Sequence, residues 1–398
     1  MGDVDEPMKD LAARGRARTD WIRSRMPLLA QARADFTETL PFAGHHIGMS
    51  LHLEPKTAVL LETLQAGGAQ ITATGNLGTT QDDVVAMLRE QGMTVLGARA
   101  DSPDEHLANV AAVVEASPDI LLDNGADLAA IAVERGKVAQ IIGGTEETTS
   151  GGLRLRGELA GLTPFPTIVI NDSILKAIGE NRHAVGQSTV ESFMRITNVM
   201  VPGRRFLVVG YGWCGRGIAQ YLRAFGGQVA IAEIDEIKAF EAALDGYRVG
   251  EAAALAGWAD VIITATGQPN VVGAEVFAQM RSGVILANTG HFPWEIDVPG
   301  LRASAASTAP IGEGMERFEF ADGRHAILIT GGRMFNLGGA NPKGNSLESM
   351  DLGFLLQSLS LERVVTNPAS LTAGAQPVPD DINREIARRF VAALDAAR

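Results

Sequence analysis

GYGWCGRG, Gly210 to Gly217, follows the apolar run Phe206-Leu207-Val208-Val209 and leads into IAQYLRAFG. Gly210, Gly212 and Gly215 fit the pattern G-x-G-x-x-G between a predicted strand and a predicted helix. Each glycine has its own task. Gly210 permits a tight turn, Gly212 lets backbone approach a pyrophosphate, and Gly215 lets helix and strand pack closely. The helix start then offers its unpaired N–H groups to the phosphates. The next predicted strand, QVAIAEID, places Glu233 18 residues after Gly215. A carboxylate there accepts from ribose hydroxyls and repels a 2′-phosphate, which selects NAD over NADP. Trp213 and Cys214 complete the loop, and Thr266 and Gly267 close a later strand, VIITATG, on the same predicted sheet. No metal-ligand pattern accompanies them.

Around this unit the chain alternates strand and helix. HHIGMSLHL, AQITATG, TVLGARA, DILLDNG, the stretch VAQIIGGTEETTSG and FPTIVIND read as strands before it, with helical patterns between them. GVILANTG and AILITGG follow it. This alternation predicts an α/β protein of two doubly wound, parallel-sheet, Rossmann-like domains. Residues from about 5 to 36 read as one helix, and QSTVESFMRITNVM as a linking helix. The closing pattern DDINREIARRFVAALDAAR is too short to form a domain alone. The expected division is therefore a first domain over 1–183, an NAD-binding domain over 184–342, and a return segment over 343–398 that completes the first.

Bulk composition narrows the function. A net charge of −13 argues against binding nucleic acid or anionic membranes through bulk electrostatics. The single cysteine, Cys214, leaves no intrachain disulfide and suits a reducing compartment. No run of about 18 apolar residues occurs, and the charged opening MGDVDEPMKDL lacks a leader's apolar core, so a cytoplasmic location is expected. The expected partner is a small-molecule substrate.

Polar residues gather at predicted strand ends, where α/β proteins bind ligands. They include His52 in SLHLEPKT, Asp123 and Asn124 in LLDNGAD, Glu147 in EETTSG, and Asn171, Asp172, Lys176, Glu180 and Asn181 in INDSILKAIGEN. His291 in NTGHF and Asn336 in GRMFNLG lie beyond the glycine motif. With IGMSLHLEPKTAVLLETL, TTQDDV and AEIDEIKA, these pieces stand in the order of one family. Over roughly residues 25–385 the chain resembles S-adenosylhomocysteine hydrolase, in its shorter archaeal and thermophile branch.

That resemblance implies a resident NAD that returns unchanged. It oxidises the 3′-hydroxyl of a nucleoside, the neighbouring C4′ hydrogen becomes removable, and the 5′ substituent leaves by β-elimination. Water then adds and the ketone is reduced. By the same resemblance Lys176 assists removal of the 3′-hydroxyl proton, with Glu180 where the family usually has Asp. Glu147 holds the ribose hydroxyls, and His52 and His291 flank the 5′ position. Thr148, Thr149, Ser150, Asn181 and Asn336 contact NAD. Lys56, Thr57 and Asp123 belong to the substrate side, where Lys56 only donates and suits an acceptor such as a hypoxanthine oxygen. Asp172 reads instead as a cap for the helix at SILK. A homo-oligomer, dimer or tetramer, is the family expectation.

The chain also departs from that pattern. The family's D-D-G-G-D is here Asp123-Asn124-Gly125-Ala126-Asp127, so an amide stands where an acid is implicated in C4′ proton transfer. The G-H-P loop is replaced by GGANPKGNSLES, the acid-glycine pair before Arg333 is Gly331-Gly332, and the tail with its lysine and tyrosine is absent. These changes favour a dehydratase or lyase giving a 4′,5′-unsaturated nucleoside, of the kind angustmycin-type antibiotic biosynthesis needs. The alternatives are hydrolysis of S-adenosyl- or S-inosylhomocysteine, and an inactive NAD-binding regulator.

Overall fold

The computed structural model describes residues 6–290, 293–338 and 342–396. The chain divides into two units: Met1–Ala177 with Leu347–Arg398, and Ile178–Ser346. The boundaries thus fall at Ala177/Ile178 and Ser346/Leu347, rather than after 183 and 342. The first lies inside the stretch INDSILKAIGEN, where one α-turn, Ile174–Lys176, passes into a π-helix, Ala177–Ala184.

The first unit is built on six strands in the chain's first half: β1 (His46–Ser50), β2 (Gln70–Thr74), β3 (Thr94–Leu96), β4 (Ile120–Asp123), β5 (Gly143–Glu146) and β6 (Pro166–Val169). The second unit contributes β7 (Arg205–Val209), β8 (Gln228–Ala232), β9 (Arg248–Val249), β10 (Val261–Thr264), β11 (Val284–Asn288), β12 (Ser307–Gly312), β13 (Met315–Glu319) and β14 (His325–Ile329). A last strand, β15 (Gly374–Pro377), returns to the first sheet.

The first sheet runs β15-β6-β5-β4-β1-β2-β3, with every pair parallel. Its inner strands are apolar on both faces, as burial between helix layers demands: Ile120 to Asp123 is buried at every position. The helix Pro55–Ala66 and the strands around it form one core with Phe36, Phe42, Met49 and Leu88. The return helix Leu347–Thr366 packs Phe354 and Leu361 into that core and Leu352, Leu355 and Leu356 into a neighbouring one.

The second sheet runs β12-β13-β14-β11-β10-β7-β8-β9. It is parallel from β14 to β9, but β12 and β13 form an antiparallel hairpin added to β14. No strand pattern is legible in the sequence of this hairpin. All six β12 residues are exposed, so this edge strand lacks the apolar stripe that marks the others.

The predicted helix over 5–36 is in fact two, Glu6–Arg23 and Pro27–Thr39. Pro27 has no N–H to continue the first helix, but its fixed φ suits the start of the second. The second helix is capped from far along the chain. Asp351 accepts from the amides of Leu28 (2.8 Å) and Leu29 (2.9 Å).

Candidate functional site

In each unit the chain order reverses at one place in the sheet. In the first, β1 lies between β2 and β4, and in the second β7 lies between β8 and β10. Ligands of open α/β sheets bind beyond the strand C-termini at such switch points. Of the predicted residues, His52 follows β1 and Asn124 follows β4, two neighbouring strands at the first switch. The glycine loop follows β7, and Thr266 follows β10, at the second.

His52 is held at both ends. Its carbonyl accepts the Thr57 hydroxyl at 2.6 Å, and its Nδ1 lies 2.8 Å from the Thr79 hydroxyl. Lys56 is buried beside Glu54, with Nζ 3.1 Å from Oε1.

Glu147 and Lys176 form a buried ion pair, with side chains 9% and 5% exposed. A third member was not foreseen: the Gln357 amide donates to Glu147 Oε2. Gln357 sits on the return helix, 210 residues away in sequence, and is fully buried. A neutral donor steadies the carboxylate without competing with Lys176 for its charge.

The preceding residue is a second carboxylate that was missed, Glu146, which is 0% exposed. Its oxygens accept from the amides of Gly125 (3.0 Å), Ala126 (2.8 Å) and Thr148 (2.7 Å), and from the Thr148 hydroxyl (2.6 Å). Asp123, expected to touch substrate, is instead a buried capping group. It accepts from the amides of Asn124 (2.9 Å), Leu128 (3.1 Å) and Ala129 (2.9 Å). Burial pushes the carboxyls of both Asp123 and Glu146 well above the usual range, and their mutual repulsion raises Glu146 further. Asp127 pairs with Arg154 at 2.8 Å.

Thr148 caps the helix Thr149–Arg156, accepting from Gly151 N at 2.9 Å. Its hydroxyl thus both donates, to Glu146, and accepts, from Gly151, inside the unit. The Thr149 hydroxyl accepts from Asn171 at 2.7 Å, and Ser150 Oγ lies 3.1 Å from Thr148 Oγ1. Asp172 is not the cap of the following helix. Ser173 is, and Asp172 pairs with Arg156.

In the second unit the glycines are where the motif needs them. Gly210 has φ +102°, and a Cβ on Gly215 would collide with its carbonyl oxygen. Gly212 faces open space where a Cβ would stand, and it N-caps the helix Trp213–Ala224. Trp213 and Cys214 are half-buried in its first turn. Glu233, at the end of β8, accepts from Tyr211 N (2.6 Å), Ile234 N (2.8 Å) and Asp235 N (3.0 Å).

Thr266 and Gly267 turn their amides to a buried carboxylate. Both donate to the buried Glu295, at 2.8 and 2.7 Å, and the Thr266 hydroxyl adds a third bond at 2.8 Å. Glu295 was missed because PWEID reads as ordinary loop. Asn336 is buried. Its amide donates to Ser188 at 3.3 Å, and its Oδ1 has no hydrogen-bond partner among the described residues. Glu180 and the half-buried Asn181 lie on the π-helix, where Glu180 accepts from Asn345 at 3.2 Å. His291 lies outside the described residues.

The open face at Gly212 and the orphaned Asn336 oxygen fit a dinucleotide. Comparison with known proteins agrees. Residues 181–342 match the NAD-binding domain of S-adenosyl-L-homocysteine hydrolase, and residues 7–139 match that enzyme family's own profile. An S-inosyl-L-homocysteine hydrolase of Methanopyrus kandleri is 41% identical over 95% of this chain and 90% of its own length. The chain belongs to the S-adenosyl-L-homocysteine hydrolase family. Two further members are similar in extent. An S-inosyl-L-homocysteine hydrolase of Methanothermobacter thermautotrophicus is 39% identical, covering 96% of this chain and 93% of that one. An adenosylhomocysteinase of Thermococcus kodakarensis is 39% identical, covering 96% and 92%. Like the family's NAD-binding domain, residues 181–342 take NAD as cofactor. Among the described residues, no cluster could hold a metal ion and no helix is long and apolar enough to cross a membrane.

Proposed function

We propose that this family member removes water from a nucleoside and releases a 4′,5′-unsaturated nucleoside. NAD, when bound, supplies reversible removal of hydride from the 3′ carbon, which makes the adjacent C–H acidic. The chain's residues divide the remaining work. Glu147, steadied by Lys176 and Gln357, receives the ribose hydroxyls, and Lys176, after passing its proton to Glu147, accepts the 3′-hydroxyl proton. His52 takes the C4′ proton and passes it to the departing C5′ hydroxyl. Hydrogen from C4′ and hydroxyl from C5′ leave as one water, with no net oxidation. In the second unit Glu233 holds a ribose hydroxyl of NAD, Asn336 offers its Oδ1, and Glu180 and Asn181 stand on the π-helix.

One observation carries this proposal: the loop after β4 holds no acid able to serve C4′. Asn124 is an amide. Asp123 and Glu146 are buried and occupied by backbone donors, and Asp127 is paired with Arg154. Adding water or thiol at C5′ leaves a carbanion at C4′ that must be protonated. Once the proton taken by His52 has left with the departing hydroxyl, this loop offers no other acid to C4′, and the cycle closes by reducing the ketone with the alkene in place. Such a product suits nucleoside-antibiotic assembly.

A second reading, thioether hydrolysis, is favoured by the names of the relatives and by Lys56, a donor suited to a hypoxanthine oxygen. The deciding experiment incubates the NAD-loaded protein with nucleosides and with S-adenosyl- and S-inosylhomocysteine, and reads products by mass. Dehydration shows loss of one water with 3′ deuterium retained. Thiol release supports the hydrolase. Bound NAD with no product from either class leaves a regulator.

A further inference from the structure

We propose that Thr79 is a positioning residue that sets the tautomer of His52, keeping Nδ1 protonated and Nε2 basic. The inference rests on the role given to His52 above, and the geometry behind it is independent of that role. The Thr79 hydroxyl has one proton. It lies 2.9 Å from the carbonyl oxygen of Asn76, which can only accept, so the proton points there. His52 Nδ1 lies 2.8 Å from the same hydroxyl oxygen. With the hydroxyl proton committed, that contact is satisfied only by Nδ1–H donating to the oxygen. A neutral imidazole carries one N–H, so Nε2 holds the basic lone pair.

The hydroxyl itself is well anchored. Asn76 O also accepts from the Thr79 amide (3.1 Å) and the Thr80 hydroxyl (3.4 Å), closing a tight turn after β2. β2 is the sheet neighbour of β1, so the tether on the ring comes from the adjacent strand end. The other restraint, Thr57 to the His52 carbonyl, fixes the backbone but does not touch the ring. Nδ1 also donates when the ring is protonated. Thr79 therefore keeps its bond through a proton-transfer cycle, and the ring need not turn. With Asn124 unable to act as a base, the tautomer of His52 decides whether the loop region has one.

The test uses full-length, NAD-loaded protein with ¹⁵N-labelled histidine; the chain has seven histidines, and His52→Asn assigns the signal by its loss. Spectra are taken near pH ~8, above the ordinary imidazole pKa. Wild type should show Nδ1 protonated and Nε2 bare. Thr79→Val, which keeps the shape and removes the hydroxyl, should move His52 toward the Nε2–H form, while Thr79→Ser should not. In turnover of the nucleoside, Thr79→Val should lower kcat about 10- to 100-fold with KM within threefold, and Thr79→Ser should stay within threefold of wild type. A wild-type His52 protonated on Nε2, or a Thr79→Val protein that keeps Nδ1–H, overturns the proposal. If the spectra follow the pattern but no nucleoside is turned over, the functional reading falls and the control of the tautomer by Thr79 stands.

Discussion

Both units gather their strand-end loops with a fully buried glutamate, but the two glutamates keep different company. Glu146 draws in the amides of Gly125, Ala126 and Thr148, and Glu295 draws in those of Thr266 and Gly267. The device is the same: an acceptor-only group placed where several backbone donors would otherwise be buried unpaired. Glu146, however, lies against a second buried carboxylate, Asp123, that caps the adjoining helix. Among the groups bonded to Glu295 in the described residues there is no acid. The first unit thus buries two carboxyls side by side behind the loops that carry Asn124 and Glu147, and their burial and mutual repulsion favour holding a proton between them. The second unit shapes its loop with a single buried glutamate bonded to Thr266 and Gly267.

The largest predicted effects separate the units by function. Gly215→Val, whose Cβ meets the Gly210 carbonyl, should abolish NAD binding in calorimetry, and turnover with it. Lys176→Ala should lower turnover about 10²- to 10⁴-fold while NAD affinity stays within twofold. Because Glu147 would then be a buried charge without its partner, that variant should also melt earlier. The double variant Lys176→Ala, Glu147→Gln should regain stability but not activity, and equal NAD loss in Gly215→Val and Lys176→Ala would erase the contrast.

Intermediate effects probe the two glutamates. Glu146→Ala and Glu295→Ala should each cost about 3 kcal/mol or more in denaturant unfolding, since each strands several buried donors. Hydrogen exchange should quicken at Gly125, Ala126 and Thr148 in the first variant, and at Thr266 and Gly267 in the second. Exchange that quickens in both places in either variant would show that the loops are not held independently.

The return helix supplies a pH test within the first unit. Burial raises the Asp351 carboxyl from 3.8 to about 7, even though Leu28 and Leu29 donate to it. A raised carboxyl pKa means that the folded state holds a proton the unfolded chain has lost. Its stabilising effect is therefore present at low pH and is lost as pH rises through about 7. Asp123 and Glu146 act with the same sign. Stability of the first unit, read by hydrogen exchange, should fall with rising pH at up to about 1.4 kcal/mol per unit per proton, and Asp351→Asn should flatten part of that slope. The smallest change is expected from Thr149→Ala. This exposed hydroxyl is engaged by Asn171, and its loss should alter NAD affinity less than threefold.

The dinucleotide turn was legible in the residues themselves, because its signals are local. The glycine turn, the helix after it and Glu233 fall within one βαβ stretch, and φ at Gly210 is what the motif requires. The partners that orient the site were not legible. Gln357 reaches Glu147 across 210 residues, and Glu295 meets Thr266 across 29. Nothing in a helix of leucines and serines or in PWEID announces a buried acceptor or donor. Pro27 could have revealed the break in the first helix, but its cap, Asp351, lies 323 residues from Leu28. β12 and β13 escaped because an exposed hairpin needs no apolar stripe.

By itself, the sequence determined two α/β units, a dinucleotide turn and the kinds of side chain available for proton transfer, since backbone geometry and periodic burial act over a few residues. Only the tertiary structure decided that Asp123 serves the backbone, that Thr266 and Gly267 face a buried glutamate, and that Thr79 meets His52. Those outcomes depend on which strand ends become neighbours. A hydrogen bond's direction is settled only when every donor and acceptor around it is in place.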